Sequence, residues 1–377
     1  MLSYEEFRKE IEKELKSYLK EGEELRFNEV RKNNGVKLDG ISIMKETGVS
    51  PTIYLQSFYE KYQDGESPQD IMSKMAETLQ QPCPEEINLS SLSDYSYIKD
   101  RLFVAICSAE QNQELLKEVP HVLKGDFGCV VRVNLGMGNF MVTNNHLKMY
   151  GVSAEQLIND AFHNTSQIMP GELKSMNDIL EEMTGQNYGG EGVPSMYVLS
   201  NKDNYFGASS IMDSVKMDKI RAELHAEVLI LPSSVHECIL IPYEPGRTEK
   251  MQEDLKEFTQ MISEVNGGFL SKEEILSDKP YIYDADRKEI VSMKSYVEEQ
   301  IRLKSECVSA KFKPTEKLIA GLKRVQVFAG EQLSLKEISK MSKQDSTGNV
   351  KLDEAVKNVA AECKSQQMAK MMEPPIR

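Results

Sequence analysis

Apolar residues recur at helical spacing from Phe7 through Ile11, Leu15 and Leu19, which predicts an amphipathic helix. Ser3, followed by Glu6, is a capping-box start signal, and Gly22 is a stop signal. Two strand-like runs come next, over 25–31 and 36–43. Asn33-Asn34-Gly35 between them is a tight-turn signal, so a β-hairpin is expected. Tyr54, Phe58 and Tyr62 then step by four toward Gly65. Ser67-Pro68 opens a further helix with Ile71, Met75 and Leu79 on its apolar face.

Pro82-Cys83-Pro84 and the serines over 90–96 read as a linker. Beyond it, strands are predicted over 101–107, 127–135, 139–143, 196–200, 228–231 and 238–241. Helices are predicted over 112–119, 153–162, 176–183, 211–222 and 249–265. Ser153 and Gln156 form a second capping box. After Val291 the pattern is helical and polar, broken at 344–349. The last helix carries Leu352, Val356, Val359 and Cys363 on one stripe. The fold class expected is α+β in three units. Residues 1–81 form a helix-hairpin-helix unit, 95–292 a central mixed β-sheet with helices, and 293–377 a helical, basic, partly mobile tail. The segment from Gln344 is expected to dock weakly, because 344–349 offers no apolar anchor.

Charge sharpens this division. The net charge is −14. Residues 302–377 hold 15 Lys/Arg against 9 Asp/Glu, a net of +6, which leaves −20 for residues 1–301. An acidic body disfavours bulk attraction to nucleic acid or anionic lipid. Nucleic acid is considered only for the basic tail, through Lys311, Lys313, Lys317, Lys323 and Arg324. Only Phe312 and Phe328 are there to stack on bases, so a tail that neutralises its own body is preferred. The six cysteines are scattered without a C-x-x-C pair, and most lie in apolar runs. That pattern fits buried thiols in a reducing, cytoplasmic compartment. No apolar run nears the ~20 residues of a membrane helix. The opening Met1-Leu2-Ser3-Tyr4-Glu5-Glu6 lacks the apolar core of a signal peptide.

Several stretches in order resemble a family of uncharacterised intracellular bacterial proteins, a "domain of unknown function" group from gut clostridia. They are Lys32-Asn33-Asn34-Gly35-Val36-Lys37-Leu38-Asp39-Gly40, Pro51-Thr52-Ile53-Tyr54-Leu55, Asn145-His146-Leu147-Lys148, Met196-Tyr197-Val198-Leu199-Ser200-Asn201 and Ile230-Leu231-Pro232-Ser233-Ser234-Val235-His236-Glu237. The resemblance spans roughly residues 1–290 and leaves the tail outside. It implies no activity.

The most polar constellation in an apolar setting is the Ser233-Ser234-Val235-His236-Glu237 turn between two strands. Ser234, His236 and Glu237 are the candidate site residues. A Ser–His pair is a conceivable nucleophile and base, but the G-x-S-x-G elbow is missing. On a strand, His236 and Cys238 would share a face and Glu237 would point away, which opposes a common metal. The preferred reading is a structural turn whose Ser and His satisfy backbone groups. His146, after Asn144-Asn145, reads as a cap or packing residue. His121, His163 and His225 support no stronger claim. Gly136-Met137-Gly138 lacks the strand–turn–helix context of a dinucleotide fingerprint and reads as a hairpin turn. Asp284-Ala285-Asp286 lacks the other ligands of a calcium loop and also reads as a turn. No metal and no cofactor are expected.

Two function classes follow. The first and preferred one is a non-enzymatic interaction or regulatory protein with an unidentified protein partner and no membrane. The alternative is a hydrolase-type enzyme or small-ligand binder, with its site around the 233–237 turn.

Overall fold

The structure is a computed structural model, and it describes residues 1–45, 48–49, 51–80, 89–136, 138–188, 195–246, 248–344 and 346–372. The Pro82-Cys83-Pro84 linker lies outside the described residues, as do Met137 and the glycine-rich stretch from 189. The architecture is α+β. A first helix, Tyr4–Leu15, starts at Ser3, whose hydroxyl caps the Glu6 N–H while Glu6 bonds back to the Ser3 N–H. Strands β1 (Glu24–Arg31) and β2 (Lys37–Lys45) form the expected hairpin, with Arg31 opposite Lys37. Two short strands, β3 (Gly48–Val49) and β4 (Ile53–Tyr54), complete this sheet. Helices Leu55–Gln63 and Pro68–Gln80 close over it. Phe7, Ile11, Leu15, Ile41, Leu55, Ile71, Met75 and Leu79 form its core. Each such side chain contributes on the order of 1.5–3 kcal/mol on burial.

The central region holds two antiparallel sheets in place of the single mixed sheet expected. The first comprises β5 (Leu102–Ser108), β6 (His121–Lys124), β7 (Phe127–Asn134) and β8 (Asn139–Met141). Strand β7 lies between β5 and β6, and β8 pairs with its far end. The second comprises β9 (Gly171–Ser175), β10 (Tyr197–Asn201), β11 (Glu227–Pro232), β12 (Cys238–Tyr243), β13 (Tyr281–Asp284) and β14 (Glu289–Ser292). Its order is β14-β13-β11-β12-β10-β9. The reason no parallel pairing arises is that β12 inserts between β10 and β11. Those two strands run in the same direction, joined through the helix Ser214–Leu224, but never touch edge to edge.

The C-terminal helices Met293–Ser309, Glu316–Ala329, Leu335–Met341 and Val350–Met372 have their own apolar cluster. The last helix packs on this cluster, with Leu352, Ala355, Val356 and Val359 buried among Leu318, Leu322 and Val325. Its anchor is polar as well, since Asp353 accepts from Ser346 Oγ at 2.7 Å and from the Thr347 N–H at 2.8 Å. The apolar stripe of this helix outweighs the polar break before it. Among the described residues, no helix is long and apolar enough to cross a membrane.

Candidate functional site: the His236 turn and the aromatic stack beside it

The 233–237 segment is a turn capped by its own first residues. The Ser234 N–H donates to the Glu237 carbonyl at 3.1 Å. The Ser234 hydroxyl accepts the His236 N–H at 3.0 Å, and Ser234 itself is buried. That local hydroxyl–backbone bond is the serine turn chemistry expected from the sequence. His236 and Glu237 precede the first residue of β12 and are therefore not on a strand. The His236 ring is engaged by groups other than Ser234. Its Nδ1 accepts the Phe206 N–H at 3.1 Å, and its Nε2 lies 4.0 Å from Glu274 Oε1. Burial pushes the imidazole below its ordinary value, and Glu274 and Glu237 offset this only in part. Ser234, His236 and Glu237 are thus close in space without a hydrogen bond between the serine hydroxyl and the imidazole.

Phe206 is held in the left-handed region at φ 54°, a conformation that costs a non-glycine residue about 1 kcal/mol or more. Two contacts impose it. The N–H is fixed by His236, and Gly207 lies so close that an added Cβ would stand 2.7 Å from the His236 carbonyl. Ser200 Oγ donates to that same carbonyl at 2.8 Å. Asn201 Oδ1 accepts the Tyr205 N–H at 3.2 Å, and Asn201 Nδ2 donates to the Tyr205 carbonyl at 2.8 Å. The 201–207 loop is therefore pinned at both ends. It presents Tyr205 stacked on His236, with centroids 5.5 Å apart and planes 21° apart.

Arg132 stands behind this stack. It projects from β7, between Phe103 on β5 and Met141 on β8. Its guanidinium carbon sits 4.6 Å from the Phe206 ring centre. Its Nε donates to Asn139 Oδ1, and Asn139 Nδ2 donates to Tyr205 OH at 3.0 Å. No carboxylate of the described residues lies within ion-pair distance of it, unlike Arg8, Arg31, Arg221 and Arg287. From the N-terminal sheet, Lys32 Nζ donates to Tyr54 OH at 2.7 Å. Asn34 fixes this edge: its side chain donates to the Lys272 carbonyl at 2.8 Å and the Ile275 carbonyl at 2.7 Å, flanking Glu274.

Residues 4–285 match the model of a protein family described as "Family of unknown function (DUF5688)". The chain belongs to this family. No curated protein and no solved structure matches it. Within the DUF5688 span, Lys32, Tyr54, Asn201 and His236 come from four stretches far apart in sequence; Lys32 bonds Tyr54, and Asn201 holds the Tyr205 that stacks on His236. His146, from a fifth, serves as a cap: its Nδ1 accepts the Thr143 N–H at 3.0 Å. The Asp284-Ala285-Asp286 segment is the expected turn, and Gly136 takes a positive φ of 81° in the β7–β8 turn.

Sequence reasoning missed Arg132, Tyr205 and Phe206. Arg132 had a signal, as the single charge inside the apolar strand run Cys129-Val130-Val131-Arg132-Val133. Tyr205 and Phe206 had none, because their role depends on a left-handed loop that no residue type announces. No group of three or more His, Cys, Asp or Glu among the described residues is placed to hold a metal ion.

Proposed function

We propose that this is a cytoplasmic, non-enzymatic binding or regulatory protein whose recognition surface is the Tyr205–His236 face. The observation that carries the reading is a rigid aromatic platform open to solvent. Tyr205 is 45% exposed, yet hydrogen bonds at its backbone N–H, its carbonyl and its hydroxyl hold it in place. Exposed, pre-ordered aromatics are what binding surfaces use, since they offer contact area at little entropic cost. The cytoplasmic part is supported by thiol chemistry. Cys107 and Cys129 are free and buried, and burial pushes both thiols up to about 12.

The test is affinity capture with the full chain, run beside Tyr205→Ala and Ser234→Ala variants. A partner held by the wild type and lost from Tyr205→Ala supports the reading. Hydrolysis of ester or phosphoester substrates abolished by Ser234→Ala, with nothing captured, would replace it with the hydrolase alternative.

A further inference from the structure

His236 holds the 201–207 loop by a bond that depends on its charge. Its Nδ1 accepts the Phe206 N–H at 3.1 Å, so the neutral ring carries its proton on Nε2. Protonation converts Nδ1 into a donor, and two donors then face each other at that distance. The N–H left without an acceptor belongs to a residue held at φ 54°. Such a conformation persists only where the surroundings impose it. The other bonds of the loop do not titrate with the ring. Asn201 still holds the Tyr205 N–H and carbonyl, and Ser200 Oγ still donates to the His236 carbonyl. The loop thus has a fixed end at Asn201 and a latch at His236.

The charged groups around the ring decide where a proton's charge is accommodated. On the 271–275 segment, Glu274 Oε1 lies 4.0 Å from Nε2. The backbone of that residue is fixed from two sides. The Glu274 carbonyl accepts the Val235 N–H at 2.9 Å, and the Asn34 amide donates to the Lys272 and Ile275 carbonyls. Glu237 is the next residue in the chain, and Tyr205 stacks on the ring with centroids 5.5 Å apart. Arg132 is the cation of this neighbourhood, 4.6 Å from the centre of a Phe206 ring that is itself 5.6 Å from His236. Lys202 and Asp203, on the loop itself, are exposed. Burial disfavours the imidazolium, while Glu274 and Glu237 favour it. The charged ring is therefore drawn by Nε2 toward Glu274, at the expense of the Nδ1 contact with Phe206.

We propose that His236 is an acid-released latch: protonation frees Phe206 from its left-handed conformation and displaces Tyr205, so the aromatic face is ordered in neutral solution and loosened in acid. This deepens the binding reading above. It rests on that reading only for its consequence, which is release of a bound partner in acid. The latch is closed above about pH 6.5, the ordinary imidazole value. It opens as pH falls through the lower value at which burial holds the folded ring.

The chain has no tryptophan, so Tyr205→Trp places a single reporter on this face. Its quenching by acrylamide is followed in the full chain from about pH 7.5 to about pH 5. The expected result is a sigmoidal rise in quenching with its midpoint below about pH 6.5, while far-ultraviolet circular dichroism stays constant. His236→Gln keeps an acceptor and cannot titrate, and it should abolish the rise. Glu274→Gln removes the counter-charge and should move the midpoint to lower pH. Hydrogen exchange on the unaltered chain, corrected for the pH dependence of intrinsic exchange, gives a reading free of the tryptophan. Protection at 205–207 should fall below the same midpoint while β11 and β12 keep theirs. Quenching that is flat with pH, together with unchanged protection at 205–207, overturns the latch. So does a transition that persists in His236→Gln, and so does a simultaneous loss of protection in β11 and β12, which would mark general unfolding. A partner captured equally at both ends of the range, with a reporter that does not move, overturns the latch and leaves the binding reading standing. A reporter transition with no partner captured at either pH keeps the latch and removes the binding reading.

Discussion

His236 shows how one side chain can tie a turn to a loop. The imidazole was expected to satisfy backbone groups, and it does, but the group is the Phe206 N–H, thirty residues away, and not its own turn. Removing it with His236→Ala leaves that N–H without an acceptor in a half-buried site, at a cost of about 1–3 kcal/mol. A thermal melt should show a clear drop; an unchanged melting temperature would contradict the structural role. The same geometry sets a pH dependence. Nδ1 can accept only while the ring is neutral, and burial holds His236 and His146 below their ordinary values. The unfolded chain then binds more protons than the folded one just below about pH 6.5, so stability is full above that value and falls beneath it. The double variant His146→Gln, His236→Gln keeps an acceptor and cannot titrate. Denaturant unfolding between about pH 7.5 and 5.5 should show a shallower decline than the wild type; equal declines would reject the assignment.

At the scale of elements, the legible parts were those coded locally. The Asn33-Asn34-Gly35 turn is a good case, because Asn34 tolerates its φ of 57° and Gly35 its φ of 69°. What the sequence could not reveal is that this turn is also a clamp. Asn34 is buried, its N–H donates to Asn112 Oδ1 at 2.8 Å, and its amide bonds two carbonyls of the 272–275 segment. Asn34→Gly keeps the left-handed backbone but loses the side-chain bonds, whereas Asn34→Ala loses both. The Ala variant should therefore be the less stable of the two, by about 1 kcal/mol, since only Gly and Asn enter that region readily. Chemical denaturation that ranks Ala at or above Gly would show that the strain argument fails. Strands β6 and β9 escaped the sequence reading for a different reason. β6 is four residues long with only its first two half-buried, and β9 is a sheet edge with no buried residue. Neither has the apolar alternation that marks a strand. The candidate site was legible only as the 233–237 turn. The Tyr205–His236 stack beside it depends on a left-handed Phe206, which no residue type announces.

Across the whole molecule, the acidic body and basic tail meet in a buried ionic centre. Asp284 ends β13 with no side-chain exposure. It accepts from Arg287 Nη1 at 2.6 Å and pairs with Lys323 Nζ at 3.1 Å. Its Oδ1 also accepts the backbone N–H groups of Asp286 and Arg287, both at 3.1 Å. Arg287 reaches on to Glu299, and Arg324 pairs with Asp286 at 3.2 Å. Lys323 and Arg324, two of the five basic tail residues considered for nucleic acid, are thus engaged by the protein's own turn. Burial alone would raise the Asp284 carboxyl, but Lys323 and the Arg287 N–H outweigh it and hold the group below its ordinary value. Its contribution is therefore complete above about pH 4 and is lost as pH falls through the lower folded value. Asp284→Asn would leave Lys323, 12% exposed, beside a neutral amide. Breaking a buried pair from one side costs about 3–5 kcal/mol. Lys323→Met should cost less, because Asp284 keeps Arg287 and its two backbone N–H donors. The centre joins the Glu316–Ala329 helix to the second sheet, so the Asp284 variant should also loosen that junction. Hydrogen exchange should then rise at the β13–β14 turn and along the Glu316–Ala329 helix together. A Lys323→Met variant as unstable as Asp284→Asn, or exchange confined to one side of the junction, would show that the ionic centre does not couple the tail to the body.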